Sequence, residues 1–111
     1  MITRLSVRRA SAACLVDMEI HHESTVNAFK AADAFGGDLG HLEYKWTVKN
    51  SKKAIDIYHT YTRPKFQGRG IAGRLVEETL EWAKQNNLVI IPSCTYVAAY
   101  VHRHPKWKSL L

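Results

Sequence analysis

The feature that most constrains this chain is a glycine-rich turn, Gln67-Gly68-Arg69-Gly70-Ile71-Ala72, which separates a strand-like segment from a helix-like segment. The first turn of a helix has backbone N–H groups without intrahelical partners and carries partial positive charge, so anions bind there readily. Gly68 and Gly70 allow the backbone to approach a bound group closely, and Arg69 and Arg74 add positive charge. The turn therefore predicts a binding site for a phosphate or diphosphate.

The segments on either side of the turn predict a strand, a helix and a second strand. Ala54–Thr62 alternates in the manner of a strand, and an apolar stripe at helical spacing predicts a helix from about Gly70 to Gln85, stopped by Asn86-Asn87. Leu88–Ile91 is a short apolar run typical of a buried strand. Two strands joined by a crossover helix are expected to lie parallel. The alternation predicts Ile55, Ile57, His59 and Tyr61 on one face of the first strand, and Asp56, Tyr58, Thr60 and Thr62 on the other.

The rest of the chain predicts antiparallel strands and one more helix. Asp17–Ser24 and Ala28–Asp33 have the pattern of a hairpin, and His41–Val48 places Leu42, Tyr44, Trp46 and Val48 on one strand face. Pro92-Ser93-Cys94-Thr95 opens a second helix that Pro105 ends. The expected fold class is α+β.

Composition limits the classes of protein that are possible. A chain of 111 residues with 46% hydrophobic and 23% charged residues is long enough for one globular domain. The net charge of +6 predicts an anionic partner, but the basic residues are scattered, which favours a small polyphosphate over nucleic acid. No apolar run approaches the length of a membrane span, so no membrane partner is expected.

The first sixteen residues differ from the remainder. They combine Arg4, Arg8 and Arg9 with serines and alanines, and no acidic residue precedes Asp17. This composition is typical of a flexible arm or of an organelle transit peptide. We therefore expect an arm over residues 1–16 and a folded domain over 17–111. Two cysteines in unlike contexts predict a reducing compartment, so the expected location is the cytoplasm, with a mitochondrion or plastid as the alternative.

Gln67-x-x-Gly70-x-Ala72, placed between a strand and a helix, resembles the acetyl-CoA-binding motif Q/R-x-x-G-x-G/A of the GNAT superfamily of N-acetyltransferases. The resemblance extends to Asp56–Thr60, to Phe66–Ala72 and to Ile91–Cys94, which look like segments of the small single-domain members. It implies the GNAT fold, a mostly antiparallel sheet with a parallel strand-helix-strand unit. It also implies acetyl-CoA as the cofactor and an amine, on a small molecule or a protein lysine, as the acceptor.

The resemblance further implies which residues bind the cofactor. The turn from Gln67 to Ala72 would bind the diphosphate, and the pantetheine arm would lie where the two parallel strands separate. The implied contacts are Thr60, Tyr61, Thr62, Gln67, Gly68, Arg69, Gly70, Ile71, Ala72, Ser93 and Cys94.

Three residues are candidates for the chemistry of acetyl transfer. Cys94 lies where a strand ends and a helix begins, a position that favours the thiolate, although a free cysteine is often simply a buried apolar residue. Asp56 lies on the strand before the motif, where the resemblance to histone-type GNAT enzymes implies a general base, and the alternative is a strand-edge residue paired with a lysine such as Lys53. His59 has a suitable intrinsic pKa or is a structural histidine. Tyr96 could protonate the departing thiolate or contact pantetheine.

The histidine pairs His21-His22 and His102-x-His104 do not have the spacing of a metal site, so no metal is expected. The predicted function is acetyl-CoA-dependent N-acetylation of an amine. The alternatives are a CoA-binding module without turnover and, with less support, a basic nucleic-acid-binding protein.

Overall fold

The computed structural model describes residues 2–9 and 17–111, in which six strands form one sheet in the order β1-β2-β3-β4-β5-β6. The strands are β1 (Ile2–Arg9), β2 (Asp17–Glu23), β3 (Ala28–Asp33), β4 (Asp38–Lys49), β5 (Lys52–Thr62) and β6 (Val89–Ile91). The helices are α1 (Ile71–Gln85) and α2 (Thr95–Arg103), with short 3₁₀ helices at Ser24–Val26, Pro64–Phe66 and Pro105–Leu110.

The sheet is antiparallel from β1 to β5, and its last pair is parallel. β5 and β6 pair only from Ala54, opposite Val89, to Asp56, opposite Ile91. Because α1 connects these two strands, the predicted α+β class and the predicted parallel strand-helix-strand unit are both confirmed.

Helix α1 covers one face of the sheet through its apolar stripe. Each large apolar side chain that it buries contributes roughly 1.5–3 kcal/mol. The helix ends at Gln85, and Asn87, two residues beyond it, has a left-handed φ of 55° as predicted. The Leu88 N–H donates to the Ala83 carbonyl at 2.9 Å, which satisfies a terminal carbonyl in the manner of a Schellman cap. The buried residues of the stripe are Ile71, Leu75, Val76, Thr79, Leu80 and Ala83.

Aromatic rings fill the core beneath the second half of α1. The buried His22 ring stacks on Phe29 at 4.2 Å and meets Trp82 edge-on at 4.5 Å. The His22 Nε2 lies 2.6 Å from the Tyr44 hydroxyl, so the two buried polar groups satisfy each other. Burial lowers the pKa of His22 and raises the pKa of Tyr44 to about 12.

A β-bulge at Tyr58 changes which face the end of β5 presents. The register passes from Glu43 opposite His59 to Tyr44 opposite Ile57, so Tyr58 has no partner on β4. The predicted strict alternation is therefore wrong beyond Ile57. Thr60 lies on the same face as the buried Ile57, whereas His59 and Tyr61 lie on the opposite face, against His41.

The N-terminal segment differs from the arm expected over residues 1–16. Residues 2–9 form β1 and pair with β2, from Ile2 opposite Glu23 to Arg9 opposite Asp17. An unpaired β2 would leave a row of backbone hydrogen-bonding groups at the edge of the sheet, and β1 satisfies them. Residues 1 and 10–16, including Cys14, lie outside the described residues, and the targeting role stays a prediction.

The C-terminal residues belong to the folded domain. Helix α2 ends at Arg103, just before Pro105 as predicted, and the following 3₁₀ helix buries Trp107 to 4% exposure. No helix among residues 2–9 and 17–111 has the length and hydropathy of a membrane span.

Candidate active site

A cleft of about 380 Å³ lies between the end of β5 and the N-termini of α1 and α2. It combines the glycine-rich turn with two threonines of β5 and a tyrosine of α2. The lining residues are Thr60, Thr62, Phe66, Gln67, Gly68, Gly70, Ile71, Ala72 and Tyr96.

The glycine-rich turn depends on left-handed backbone geometry. Gly68 and Gly70 have φ values of 82° and 79°, and Gly70 is the N-cap of α1. A Cβ added at either glycine would meet no atom within 4 Å, so the requirement is conformational and not one of space. No side chain caps α1, and its first turn carries no acidic residue, so its partial positive charge faces the cleft without compensation.

The two arginines of this region have different positions. The Arg69 guanidinium lies 5.7 Å from the Phe66 ring centroid, within the turn. Arg74 instead pairs along α1 with Glu78 at 3.1 Å and with Glu77 at 3.9 Å. The carboxylates offset its charge, so the positive charge predicted from Arg74 is not directed at the cleft.

Separation of β5 from β6 places Cys94 beside the cleft. Beyond Ile91 the regular pairing stops, and the Cys94 N–H donates to the Ile57 carbonyl at 2.9 Å. Cys94 is the N-cap of α2, and its Sγ lies 3.5 Å from the Thr60 Oγ1. The bulge at Tyr58 makes this contact possible, because it turns Thr60 toward the helix side of the sheet.

The surroundings of Cys94 favour its thiolate. Burial acts to raise the pKa of the thiol, but the Thr60 hydroxyl and the backbone N–H groups of Val97, Tyr96 and Thr60 outweigh it. The net effect is a pKa below the ordinary value for cysteine. Two of these N–H groups belong to the first turn of α2, where a helix N-terminus stabilises negative charge.

Most of the residues expected to bind the cofactor come together in the structure. Seven of them line the cleft, and Cys94 adjoins it through Thr60. The Tyr61 ring lies on the opposite sheet face, 5.3 Å from His41, so only its backbone can face the gap. Ser93 is exposed just before α2. Phe66 was not among the expected contacts, although its place directly before Gln67 could have indicated it.

Asp56 and His59 are not brought to Cys94. Asp56 lies between the fully buried Ile55 and Ile57 and therefore faces away from α1. His59 is exposed on that same far face, 5.5 Å from His41. Among the residues that the structure describes, the cleft lining accordingly contains no carboxylate and no imidazole, and Tyr96 is its one side chain with an ordinary acid–base function.

Comparison with known proteins gives consistent matches. A family model described as GCN5-related N-acetyl-transferase matches residues 28–110. Protein NATD1 of Xenopus tropicalis is 33% identical over 54 residues, which cover 49% of this chain and 50% of that protein. The human Protein NATD1 is 32% identical over 49% of this chain and 48% of its own length. The matched region thus spans about half the length of these relatives.

Solved structures share the fold. A GCN5-like candidate N-acetyltransferase from Staphylococcus aureus superposes with a TM-score of 0.60 at 22% identity, over 96% of this chain and 86% of its own. A ribosomal-protein-alanine N-acetyltransferase from Brucella melitensis superposes with a TM-score of 0.52 at 20% identity, over 58% and 46%. The family match covers most of the chain, and the sheet, the glycine-rich turn and the strand separation are those expected from the motif. The chain belongs to the GCN5-related N-acetyltransferase family.

Proposed function

We propose that this protein binds acetyl-CoA in the cleft and transfers the acetyl group to an amine through Cys94. The observation that carries the proposal is the position of the Cys94 thiol. It caps α2 and contacts Thr60, which lines the same cleft as a glycine-rich turn suited to a diphosphate.

The binding half of the proposal rests on the N-terminus of α1. Uncapped N–H groups and two left-handed glycines form an anion site without any ligand side chain. Regular pairing of β5 with β6 stops at Asp56 and Ile91, and the Ile57 carbonyl accepts from Cys94, so we place the pantetheine arm in the gap beyond Ile57, against the backbone groups of β5 there. Thr60 and Thr62 line this gap and lead from the turn to Cys94.

The transfer half rests on the favoured thiolate. In the first step the Cys94 thiolate attacks the thioester carbonyl carbon, a new C–S bond forms, and the bond to the CoA sulfur breaks. The departing thiolate takes a proton, for which the Tyr96 hydroxyl is the donor in the cleft. In the second step a neutral amine attacks acetyl-Cys94, the Cys94 thiolate leaves, and the proton of the amine passes to solvent.

A non-catalytic acyl-CoA-binding module is the second candidate. The placement of Asp56 and His59 favours it, because the described part of the cleft lining contains no carboxylate or imidazole to deprotonate an amine. Such a module would use the same binding residues, so only measurements of turnover distinguish the two candidates.

Three measurements on the full chain test the proposal. Calorimetric titration with acetyl-CoA, CoA and dephospho-CoA measures binding. Intact-protein mass spectrometry after incubation with acetyl-CoA detects an acetyl group on Cys94. Release of free CoA is then followed with a lysine peptide and with a polyamine as acceptors.

We expect saturable acetyl-CoA binding in both the wild type and Cys94→Ala. Acetylation of the protein and release of CoA should occur in the wild type and be lost in Cys94→Ala. Ser109→Ala is the control, because Ser109 is exposed on the C-terminal 3₁₀ helix and does not line the cleft, and this variant should retain both activities. Binding without acetylation or turnover would support the binding module. Absence of binding by the folded protein would refute both candidates.

A further inference from the structure

A group of metal-ligating side chains lies on the sheet face opposite α1. His41 and Glu43 are alternate residues of β4, and His59 stands directly opposite Glu43 on β5. The residues between them, Leu42 and Thr60, are paired with each other and face the core and the cleft. The bulge at Tyr58 brings His59 onto the open face, so the strand register creates this group.

The three side chains are close enough to share an ion. One ligand atom from each of His41, Glu43 and His59 lies within 4.8 Å of the other two. His41 and Glu43 are partly buried and His59 is exposed, so the group is open to solvent on one side. Zinc–nitrogen and zinc–oxygen distances of about 2.0–2.2 Å require the three ligand atoms to lie closer to one another than this. Small side-chain rotations on an open sheet face would bring them together.

The donor set has a definite chemical preference. Two imidazoles and one carboxylate suit zinc and neighbouring divalent transition metals better than magnesium or calcium, which prefer oxygen ligands. Three protein ligands also leave one coordination position for water or another group. Lys30 lies opposite His41 on β3, but its amine pairs with Glu23 at 3.1 Å, which offsets its positive charge near the site.

We propose that His41, Glu43 and His59 bind one divalent transition-metal ion on the open face of the sheet. The site differs from the predicted absence of metal, which rested on histidine spacing along the chain. His41 and His59 are eighteen positions apart in sequence, and only the pairing of β4 with β5 brings them together. The site is independent of the proposed acetyl transfer, since it lies on the other face from Cys94.

Titration of tag-free protein with Zn²⁺ by calorimetry, and with Co²⁺ by visible absorption, tests the proposal. We expect one equivalent to bind, with at least about ten-fold weaker affinity in His41→Ala and in His59→Ala, since even indirect disturbance of a metal site costs 10–100-fold. Glu43→Gln should weaken binding while preserving size. His102→Ala is the matched control, because His102 is an exposed histidine on α2 outside the group.

Circular dichroism of each variant verifies that the fold is kept. Loss of the bound equivalent in the folded His41→Ala and His59→Ala proteins, but not in His102→Ala, would support the site. Absence of saturable binding in the wild type would overturn it. Unchanged metal binding in a double variant that lacks both His41 and His59 would also overturn it. Metal binding that is lost only when Cys94 is replaced would overturn it as well, because the metal would then be bound at Cys94.

Discussion

Replacing Thr60 by valine should slow the chemical modification of Cys94. Valine keeps the shape of threonine but removes the hydroxyl that lies 3.5 Å from the Cys94 Sγ. A hydrogen bond to a charged group contributes about 1.5–3 kcal/mol, and the long contact places this one at the lower end. Since about 1.4 kcal/mol corresponds to a factor of ten, the thiolate fraction below the pKa should fall about ten-fold in Thr60→Val.

The assay is the rate of alkylation by iodoacetamide, followed by mass spectrometry on the peptide that contains Cys94. The pKa of Cys94 is lowered in the folded protein, so wild-type alkylation should accelerate as the pH rises through a value below the ordinary 9.0. In Thr60→Val this rise should move to higher pH. Thr62→Val is the matched control, since Thr62 lines the same cleft.

Equal alkylation rates in Thr60→Val and Thr62→Val would refute the argument that the Thr60 hydroxyl stabilises the thiolate. A wild-type rise at the pH of an ordinary cysteine would refute the lowered pKa itself. In that case the proposed attack of Cys94 on the thioester would lose its main support.

Three further predictions concern the proposed cofactor site, the buried histidine and the pairing of β4 with β5. Gly70→Glu combines left-handed strain of about 1–2 kcal/mol with repulsion of a diphosphate, so acetyl-CoA binding should weaken by more than about ten-fold in calorimetry. Unchanged affinity would remove the site assignment. Because the pKa of His22 is lowered in the folded protein, the unfolded chain takes up a proton more readily, so the free energy of unfolding should be highest above about pH 6.5 and decline below it. The free energy of unfolding of His22→Asn, measured with urea, should depend less on pH, and an unchanged pH dependence would contradict this. In Gly40→Ala the new Cβ would overlap the Tyr61 carbonyl, at a cost of about 1–3 kcal/mol of stability, whereas in Gly73→Ala the new Cβ makes ordinary contacts and the variant should be neutral or slightly stabilised. Equal free energies of unfolding of the two variants would refute the predicted overlap at Gly40.

Local interactions explain why much of α1 and its flanking turns could be predicted from sequence. The apolar stripe of the helix, the left-handed Gly70 before it and the left-handed Asn87 after it each depend on residues within a few positions. The parallel arrangement of β5 and β6 followed from the helix between them. The turn residues Gln67, Gly68, Gly70, Ile71 and Ala72 line the cleft for the same reason, and their binding of a cofactor stays a prediction.

The positions of the remaining site residues depend on pairing between distant strands, which no local sequence pattern predicts. One unpaired residue, Tyr58, changes the face of every later residue of β5. It therefore places Thr60 against Cys94 and removes His59 from the cleft. Pairing of residues 2–9 with β2 likewise depended on an available sheet edge.

The sequence alone determined the class of fold, the glycine-rich turn and the candidate thiol, because each depends on the conformation of adjacent residues. The tertiary structure alone decided which side chains surround that thiol and which histidines meet on the far face. Side-chain direction along a strand follows its register with a neighbour, and the register of β4 with β5 is a property of two segments folded together.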